Sequence, residues 1–154
     1  MTPRSRVLVP AALLFLLGAI RCANHDARIG VLPSIAPPPP GVPISLSKDV
    51  QPIFNAAKCA QSGCHSPLAP QQNLVLDNAA DSDLFLVNIP CAEAPPLLRV
   101  VPFDSGKSYL INKLLGTGGS VGGSGTLMPL SGQPLPNADI QIIRDWIDQG
   151  ALDN

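Results

Sequence analysis

Two cysteines and a histidine stand close together near the middle of the chain, in the segment Cys59-Ala-Gln-Ser-Gly-Cys64-His65. Two thiols followed directly by a histidine are typical of covalent haem attachment, in which each thiol adds to a vinyl group and the histidine ligates the iron. The usual spacing places two residues between the cysteines, whereas four separate them here. The sequence predicts one haem c on Cys59, Cys64 and His65, with the wider gap bulging outward at Ser62-Gly63 because glycine permits sharp backbone turns.

Few side chains are available as a second ligand to the iron. The chain has two histidines, and His25 lies far before the cysteine segment. It also has two methionines, of which Met1 is the initiator and Met128 precedes Pro129. A lone methionine usually fills a hydrophobic core, but beside a haem-attachment segment Met128 is the leading candidate for the second axial position. Pro129 restricts the backbone next to it.

A short helix is predicted immediately before Cys59. Asp49 is a candidate N-cap, and Pro52 suits the first turn, where its missing N–H costs nothing. Apolar residues then recur at helical spacing, at Val50, Ile53, Phe54 and Ala57. The Cys59–His65 segment follows this helix directly.

Three further helices are predicted later in the chain. One begins at Asp81-Ser82-Asp83 and runs through Val87, and another covers roughly 105–115 with Ser105 as a candidate N-cap. The last has Asn137 as its N-cap, carries an isoleucine stripe and ends at Gly150, a plausible left-handed cap. Between the third and fourth helices, the glycine-rich segment 116–125 is expected to form a flexible surface loop.

The N-terminal third of the chain predicts export followed by a spacer. Residues 1–22 combine a basic start with an apolar run from Val7 to Ile20, as in a secretory signal peptide. A retained membrane anchor is the alternative, and so is a lipoprotein with lipid on Cys22, although the preceding Arg21 is a poor match to such a site. Residues 23–46 are a Pro-rich linker, either a tether or a generic disordered spacer. The folded domain is then expected at 47–154, in the periplasm or cell envelope.

The composition of residues 47–154 limits which partners the domain can bind and how large its hydrophobic core can be. The segment carries six Lys or Arg and ten Asp or Glu, a net charge of −4, with no basic cluster. This argues against nucleic-acid binding. It holds five aromatic residues, too few for a large hydrophobic core. A buried haem would supply the missing apolar mass.

These segments together resemble the exported monohaem c-type cytochromes of bacteria. The matching pieces are Asp49-Val50-Gln51-Pro52-Ile53-Phe54, Arg99-Val100-Val101-Pro102, Ser108-Tyr109-Leu110, Met128-Pro129 and Ile143-Arg144-Asp145-Trp146-Ile147. The resemblance implies an all-α, cytochrome c-like fold of three to four short helices around one haem, with long Gly- and Pro-rich loops. It implies that Cys59 and Cys64 link the haem, that His65 and Met128 ligate its iron, and that Phe54 and Trp146 lie where the first and last helices meet.

The function predicted from these features is single-electron transfer to redox partner proteins, without catalysis. A haem sensor or peroxidase-like domain with an open distal site is the first alternative. The second is a Cys-rich interaction module without haem, held by disulfides or by zinc on Cys59, Cys64, His65 and Cys91. A related question is left open by the wide gap: Cys59 bonds either to haem or to Cys91, since a disulfide suits an oxidising compartment.

Overall fold

A computed structural model of the chain describes residues 41–130 and 133–154. Within these ranges the chain forms four α-helices and no β-strand. Two isolated β-bridges also form in these ranges, between Val87 and Val100 and between Pro90 and Leu98. The prediction of an all-α domain is therefore confirmed. The predicted signal segment 1–22, with Cys22, and the linker up to residue 40 lie outside the described residues.

The helices are short and are separated by long loops. A π-helical turn, Leu46–Val50, continues directly into helix α1, Gln51–Ala56. Helix α2 is Ala79–Leu86, α3 is Tyr109–Leu115 and α4 is Asn137–Asp148. Single 3-10 turns lie at Gln71–Asn73, Ser105–Lys107 and Gly118–Val121. None of the helices in the described part of the chain has both the length and the apolar character needed to cross a membrane.

The first helical segment starts before the predicted N-cap. Asp49 lies inside the π-helical turn, and its carboxylate accepts a hydrogen bond from the Ser45 backbone N–H at 2.8 Å. Asp153 supplies a second carboxylate, which accepts from Ser45 Oγ at 2.6 Å and from the Ser47 N–H at 2.8 Å. The prediction of Asp49 as N-cap was therefore wrong: Ser45 holds that position, and a residue from the chain's far end satisfies the open N–H groups.

Ser105 is also not the N-cap of a continuous helix. It is the first residue of a 3-10 turn that Asp104 caps, and α3 begins four residues later, after Ser108. The Ser105 N–H and Oγ both donate to the Asp148 carboxylate, at 2.7 and 2.9 Å. The predicted helix 105–115 is thus divided, because Ser105 bonds to the end of α4 instead of starting α3.

Helix α2 and helix α4 follow the sequence more closely. Asn78 caps α2 by accepting from the Asp81 N–H at 3.0 Å, so the helix starts two residues earlier than predicted. Helix α4 is Asn137–Asp148 with Pro136 at the N-cap position, so the prediction of Asn137 as N-cap was wrong by one residue: the Asp139 and Ile140 N–H groups both bond to the Pro136 carbonyl. Gly150 follows α4 at φ 112, and its N–H bonds to the Ile147 carbonyl at 2.9 Å. The predicted end of the last helix is confirmed.

The main hydrophobic core joins the first and last helical segments. Helix α4 packs against the π-helical turn and against α3. Phe54 and Trp146 both belong to this core and are almost fully buried. Ile44 and Leu46 are buried in the same core. The packed unit therefore includes residues 44–46, and the predicted boundary between linker and domain at residue 47 is too late.

Candidate functional site

Helix α1 ends in a motif that places Cys59 against the core. The Lys58 N–H bonds to the Asn55 carbonyl and the Cys59 N–H bonds to the Phe54 carbonyl, each at 3.0 Å. This is the hydrogen-bond pattern of a Schellman motif, which needs a left-handed residue directly after the C-cap, here Ala57. Lys58 takes that position with φ 56. Cys59 consequently packs on the main core while the chain turns away from the helix axis.

The segment from Cys59 to His65 forms one compact hydrogen-bonded turn. The Cys64 N–H bonds to the Gln61 carbonyl at 2.9 Å, and the His65 N–H returns to the Cys59 carbonyl at 3.1 Å. Gly63 has φ 78, a left-handed conformation that glycine adopts without steric cost. The four intervening residues thus close on themselves, and they bring Cys64 and His65 back beside Cys59.

The three described cysteines differ in state. Burial raises the pKa of the Cys59 thiol to about 12, so this thiol is protonated at neutral pH. Cys64 is disulfide-bonded, whereas Cys59 and Cys91 are free thiols. Cys91 is buried in a separate small cluster with Ala94 and Tyr109. The alternative of a Cys59–Cys91 disulfide is not realised.

The His65 ring is oriented by the backbone. Its Nδ1 lies 3.2 Å from the Leu74 carbonyl oxygen. Because a carbonyl oxygen can only accept, Nδ1 carries the proton of this hydrogen bond and Nε2 keeps a lone pair in the neutral ring. Metal-binding histidines are typically oriented in this way, through a second bond from the other ring nitrogen.

The surroundings of His65 favour the neutral ring that a metal requires. Burial is the largest influence and lowers the pKa of His65 below its ordinary value. Hydrogen bonds with the backbone of Leu74 and Gln71 oppose this shift, while the positive charges of Arg99 and Lys113 add to it. A neutral imidazole with Nε2 available is the state that binds iron.

Two further backbone hydrogen bonds, from the segment 71–76, hold the Cys64-His65 pair in place. The Gln71 N–H bonds to the Cys64 carbonyl at 2.7 Å, and the Leu76 N–H bonds to the His65 carbonyl at 2.9 Å. Leu76 is buried in the main core. The segment 71–76 thus lies alongside the cysteine–histidine turn and connects it to the hydrophobic interior.

Met128 lies on a different loop. Its N–H bonds to the Lys113 carbonyl at 2.9 Å, which fastens the loop to α3. The Lys113 ammonium lies 2.8 Å from the Glu93 carboxylate, with both side chains largely buried. Lys113 is also close enough to His65 to lower its pKa. Lys113 is thus linked to both predicted iron ligands, to Met128 by a backbone hydrogen bond and to His65 by its charge.

The glycine-rich loop before Met128 is held at several points. The Tyr109 hydroxyl donates to the Ser124 carbonyl at 2.7 Å, and the Ser124 N–H donates to the Glu93 carbonyl at 2.9 Å. A Cβ atom at Gly125 would come within 2.6 Å of the Glu93 carboxylate. The segment predicted as a flexible surface loop is thus anchored at its C-terminal end, directly before the Met128 segment.

One buried polar atom beside His65 lacks a hydrogen bond: Ser66 Oγ, on the next residue. Lys113 Nζ is satisfied by its ion pair with Glu93 at 2.8 Å. Most buried polar atoms in proteins are hydrogen-bonded, so Ser66 Oγ leaves capacity for a further polar group. The residue types of His65, Met128 and the two neighbouring cysteines are those that hold haem in c-type sites.

A zinc site has less support. In the part of the chain that the structure describes, no three His, Cys, Asp or Glu side chains converge as metal ligands. Cys91, the fourth proposed zinc ligand, lies in its own cluster. Haem needs only one residue of these types on the iron, so this finding does not bear on the haem interpretation.

Arg99, Leu74 and the Glu93–Lys113 pair belong to this site but were not assigned to it by sequence reasoning. Arg99 is a single charge in the apolar stretch Leu97-Leu98-Arg99-Val100-Val101. A buried charge is costly unless it is bonded, so the position of Arg99 among apolar residues was the available signal.

In comparisons with known proteins, no protein-family profile, no curated protein and no solved structure matches the chain.

Proposed function

We propose that the packed unit formed by residues 44–154 binds one covalently attached haem and transfers single electrons. The observation that carries this proposal is the His65 ring: it follows a cysteine directly, is favoured in its neutral form, and is oriented by the 3.2 Å hydrogen bond to the Leu74 carbonyl. Ligating histidines commonly use such a bond to keep their other nitrogen available.

Covalent attachment would use the two neighbouring cysteines. Each thiol adds across a vinyl double bond, so that sulfur bonds to one carbon and hydrogen is added to the other, with no leaving group. This addition requires free thiols. Cys59 is already one, whereas the disulfide at Cys64 must first be reduced by an external dithiol, which supplies two electrons and two protons and itself becomes a disulfide.

Met128 is the proposed second axial ligand. Its loop is tied to α3 through the Lys113 carbonyl, and Lys113 lies near His65. When bound, haem supplies one-electron chemistry, and histidine with methionine raises its reduction potential. The net charge of −4 on residues 47–154 would favour partners with basic surfaces through long-range attraction. Export through residues 1–22 is part of the same proposal, with a membrane tether by lipid on Cys22 as an alternative.

The proposal is tested by expressing the full chain in a bacterial periplasm with the haem-maturation machinery. The denatured, purified protein should have a mass increased by one haem, and its reduced-minus-oxidised spectrum should be that of a c-type cytochrome. Cys59→Ala and Cys64→Ala should each leave one thioether bond, and the double variant should leave none. Cys91→Ala is the matched control and should retain both bonds. A wild-type mass without haem would refute the proposal.

The second ligand is tested by Met128→Ala in the same protein. Loss of the methionine sulfur should lower the reduction potential and abolish the weak far-red band of methionine–iron ligation. Leu130→Ala, at a half-exposed position two residues later, is the control and should change neither. An unchanged band in Met128→Ala would exclude this ligand, and rapid binding of cyanide by the wild-type protein would favour the open-site alternative.

A further inference from the structure

The carbonyl that orients His65 follows a turn with unusual backbone angles. Gln72 and Asn73 have φ of 55 and 51, so two consecutive residues other than glycine are left-handed. The Leu74 N–H closes the turn on the Gln71 carbonyl at 3.1 Å. Positive φ at both central positions is the pattern of a type I′ turn, which favours Gly, Asn and Asp. Asn73 suits it, but Gln72 has to be held there by other contacts.

Arg99 supplies these contacts. Its Nη2 donates to the Gln72 carbonyl at 2.5 Å, and its Nη1 lies 3.4 Å from the Asn73 carbonyl and 2.7 Å from the Phe85 carbonyl. The guanidinium therefore connects both left-handed residues to the end of α2. Arg99 itself is buried, at 9% exposure.

The charge of Arg99 is satisfied by carbonyl oxygens. Among the described residues, its side chain has hydrogen bonds to these backbone groups and no ion pair within 4.0 Å. The planar fork of five N–H donors in arginine suits several acceptors at fixed positions, which a lysine ammonium cannot match in the same way. Such an arrangement fixes the backbone at 72–73 and, through it, the next residue, Leu74.

We infer that Arg99 is a positioning residue for His65: by holding the turn at Gln72-Asn73 it sets the Leu74 carbonyl, which keeps the proton on His65 Nδ1 and leaves Nε2 available to the iron. The benefit to iron binding rests on the proposed haem function. The hydrogen bonds from Arg99 to the turn and from His65 to Leu74 are made by the protein without haem. Arg99 does not contact the iron in this arrangement and acts only through the backbone.

The test compares Arg99→Met with wild type in the haem-loaded, reduced and diamagnetic full chain. The readout is the solvent exchange of the His65 Nδ1 proton, followed by NMR. Loss of its hydrogen bond should speed exchange about tenfold, the factor that corresponds to one ordinary hydrogen bond. Circular dichroism shows whether the variant is folded. Arg99→Lys keeps a donor for one or two of the carbonyls and should give an intermediate rate.

Two further variants separate positioning from charge and from general damage. Lys107→Gln removes a positive charge at an exposed position that does not touch the turn, and should leave Nδ1 exchange unchanged. Arg99→Met with Gln72→Gly should restore much of the protection, because glycine adopts positive φ without the arginine. A wild-type exchange rate in folded Arg99→Met overturns the inference. If Arg99→Met does not fold, a wild-type rate in Arg99→Lys overturns it instead.

The two proposals fail in different ways. A chain that never acquires covalent haem refutes the haem function. In that case the position of the His65 proton is read in the same purified chain from the ¹⁵N shifts of the ring. Retention of the Nδ1–H form in Arg99→Met would then overturn the positioning role, whereas a shift towards the Nε2–H form would support it.

Discussion

Lys58 offers a sharp test of how the chain presents Cys59. It follows α1 in a left-handed conformation, with φ 56 and an exposed side chain. A residue with a Cβ atom pays about 1–2 kcal/mol in that conformation. Lys58→Gly would remove the penalty but would add about 0.4–1 kcal/mol of unfolded-state entropy relative to alanine. We therefore expect Lys58→Gly to be more stable than Lys58→Ala by about 0.5–1 kcal/mol.

The alanine variant is the reference because both substitutions remove the same exposed side chain. A difference of this size should raise the midpoint of thermal unfolding by about 2–6 °C for a domain of this length. Lys58→Pro is the opposite perturbation: proline fixes φ near −65° and removes the N–H that bonds to the Asn55 carbonyl. It should destabilise the protein by about 3 kcal/mol or more, and it should reduce attachment through Cys59.

Thermal and denaturant unfolding measure the stability of each variant. Attachment of haem through Cys59 is measured from the mass of the denatured protein, with Cys64→Ala added to each variant so that only Cys59 can bond. Lys58→Gly no more stable than Lys58→Ala would refute the assigned backbone conformation. Full attachment in Lys58→Pro would show that Cys59 does not depend on this end of α1.

The remaining predictions concern pH and the loop before Met128. Hydrogen bonds from Ser45 and Ser47 lower the pKa of Asp153 in the folded protein. The ionised carboxylate therefore adds fully to the free energy of unfolding above the unfolded pKa of about 3.9, and this stabilisation is lost as pH falls through the lower folded value. The free energy of unfolding should therefore decline less in acid for Asp153→Asn than for wild type; an equal decline would contradict the assignment. Gly125→Ala should destabilise by about 1–3 kcal/mol, since Gly125 has φ 83 and its Cβ would press on Glu93 and Lys113. Gly119→Ala, which meets nothing within 4 Å, is the control, and equal unfolding midpoints for the two variants would contradict this prediction.

Helix positions were largely predictable because their signals are local. The isoleucine stripe of α4 repeats at helical spacing, and Gly150 marks its end. The stripe from Val50 to Ala57 likewise predicted a helix before Cys59, and the structure contains α1 there. Apolar periodicity depends on neighbours three and four residues away, so a single sequence is sufficient to detect it.

Helix starts were less predictable because their hydrogen-bond partners come from elsewhere. Asp49 and Ser105 both have the residue type of an N-cap, yet Asp49 bonds to Ser45 and Ser105 bonds to Asp148. Asp153 reaches the first turn only because α4 packs beside it. A capping residue supplied by a segment about a hundred positions away leaves no local pattern.

The sequence by itself determined which reactive groups are available: the Cys59–His65 segment, the single described histidine and the Met128-Pro129 pair are matters of residue type and order. Only the tertiary structure decided how those groups are held. It directs His65 Nδ1 to the Leu74 carbonyl, brings Arg99 to the turn before it, and places Lys113 between Met128 and Glu93. Backbone carbonyls are present at every residue, so their type carries no signal; which carbonyl meets which donor is decided when the helices pack.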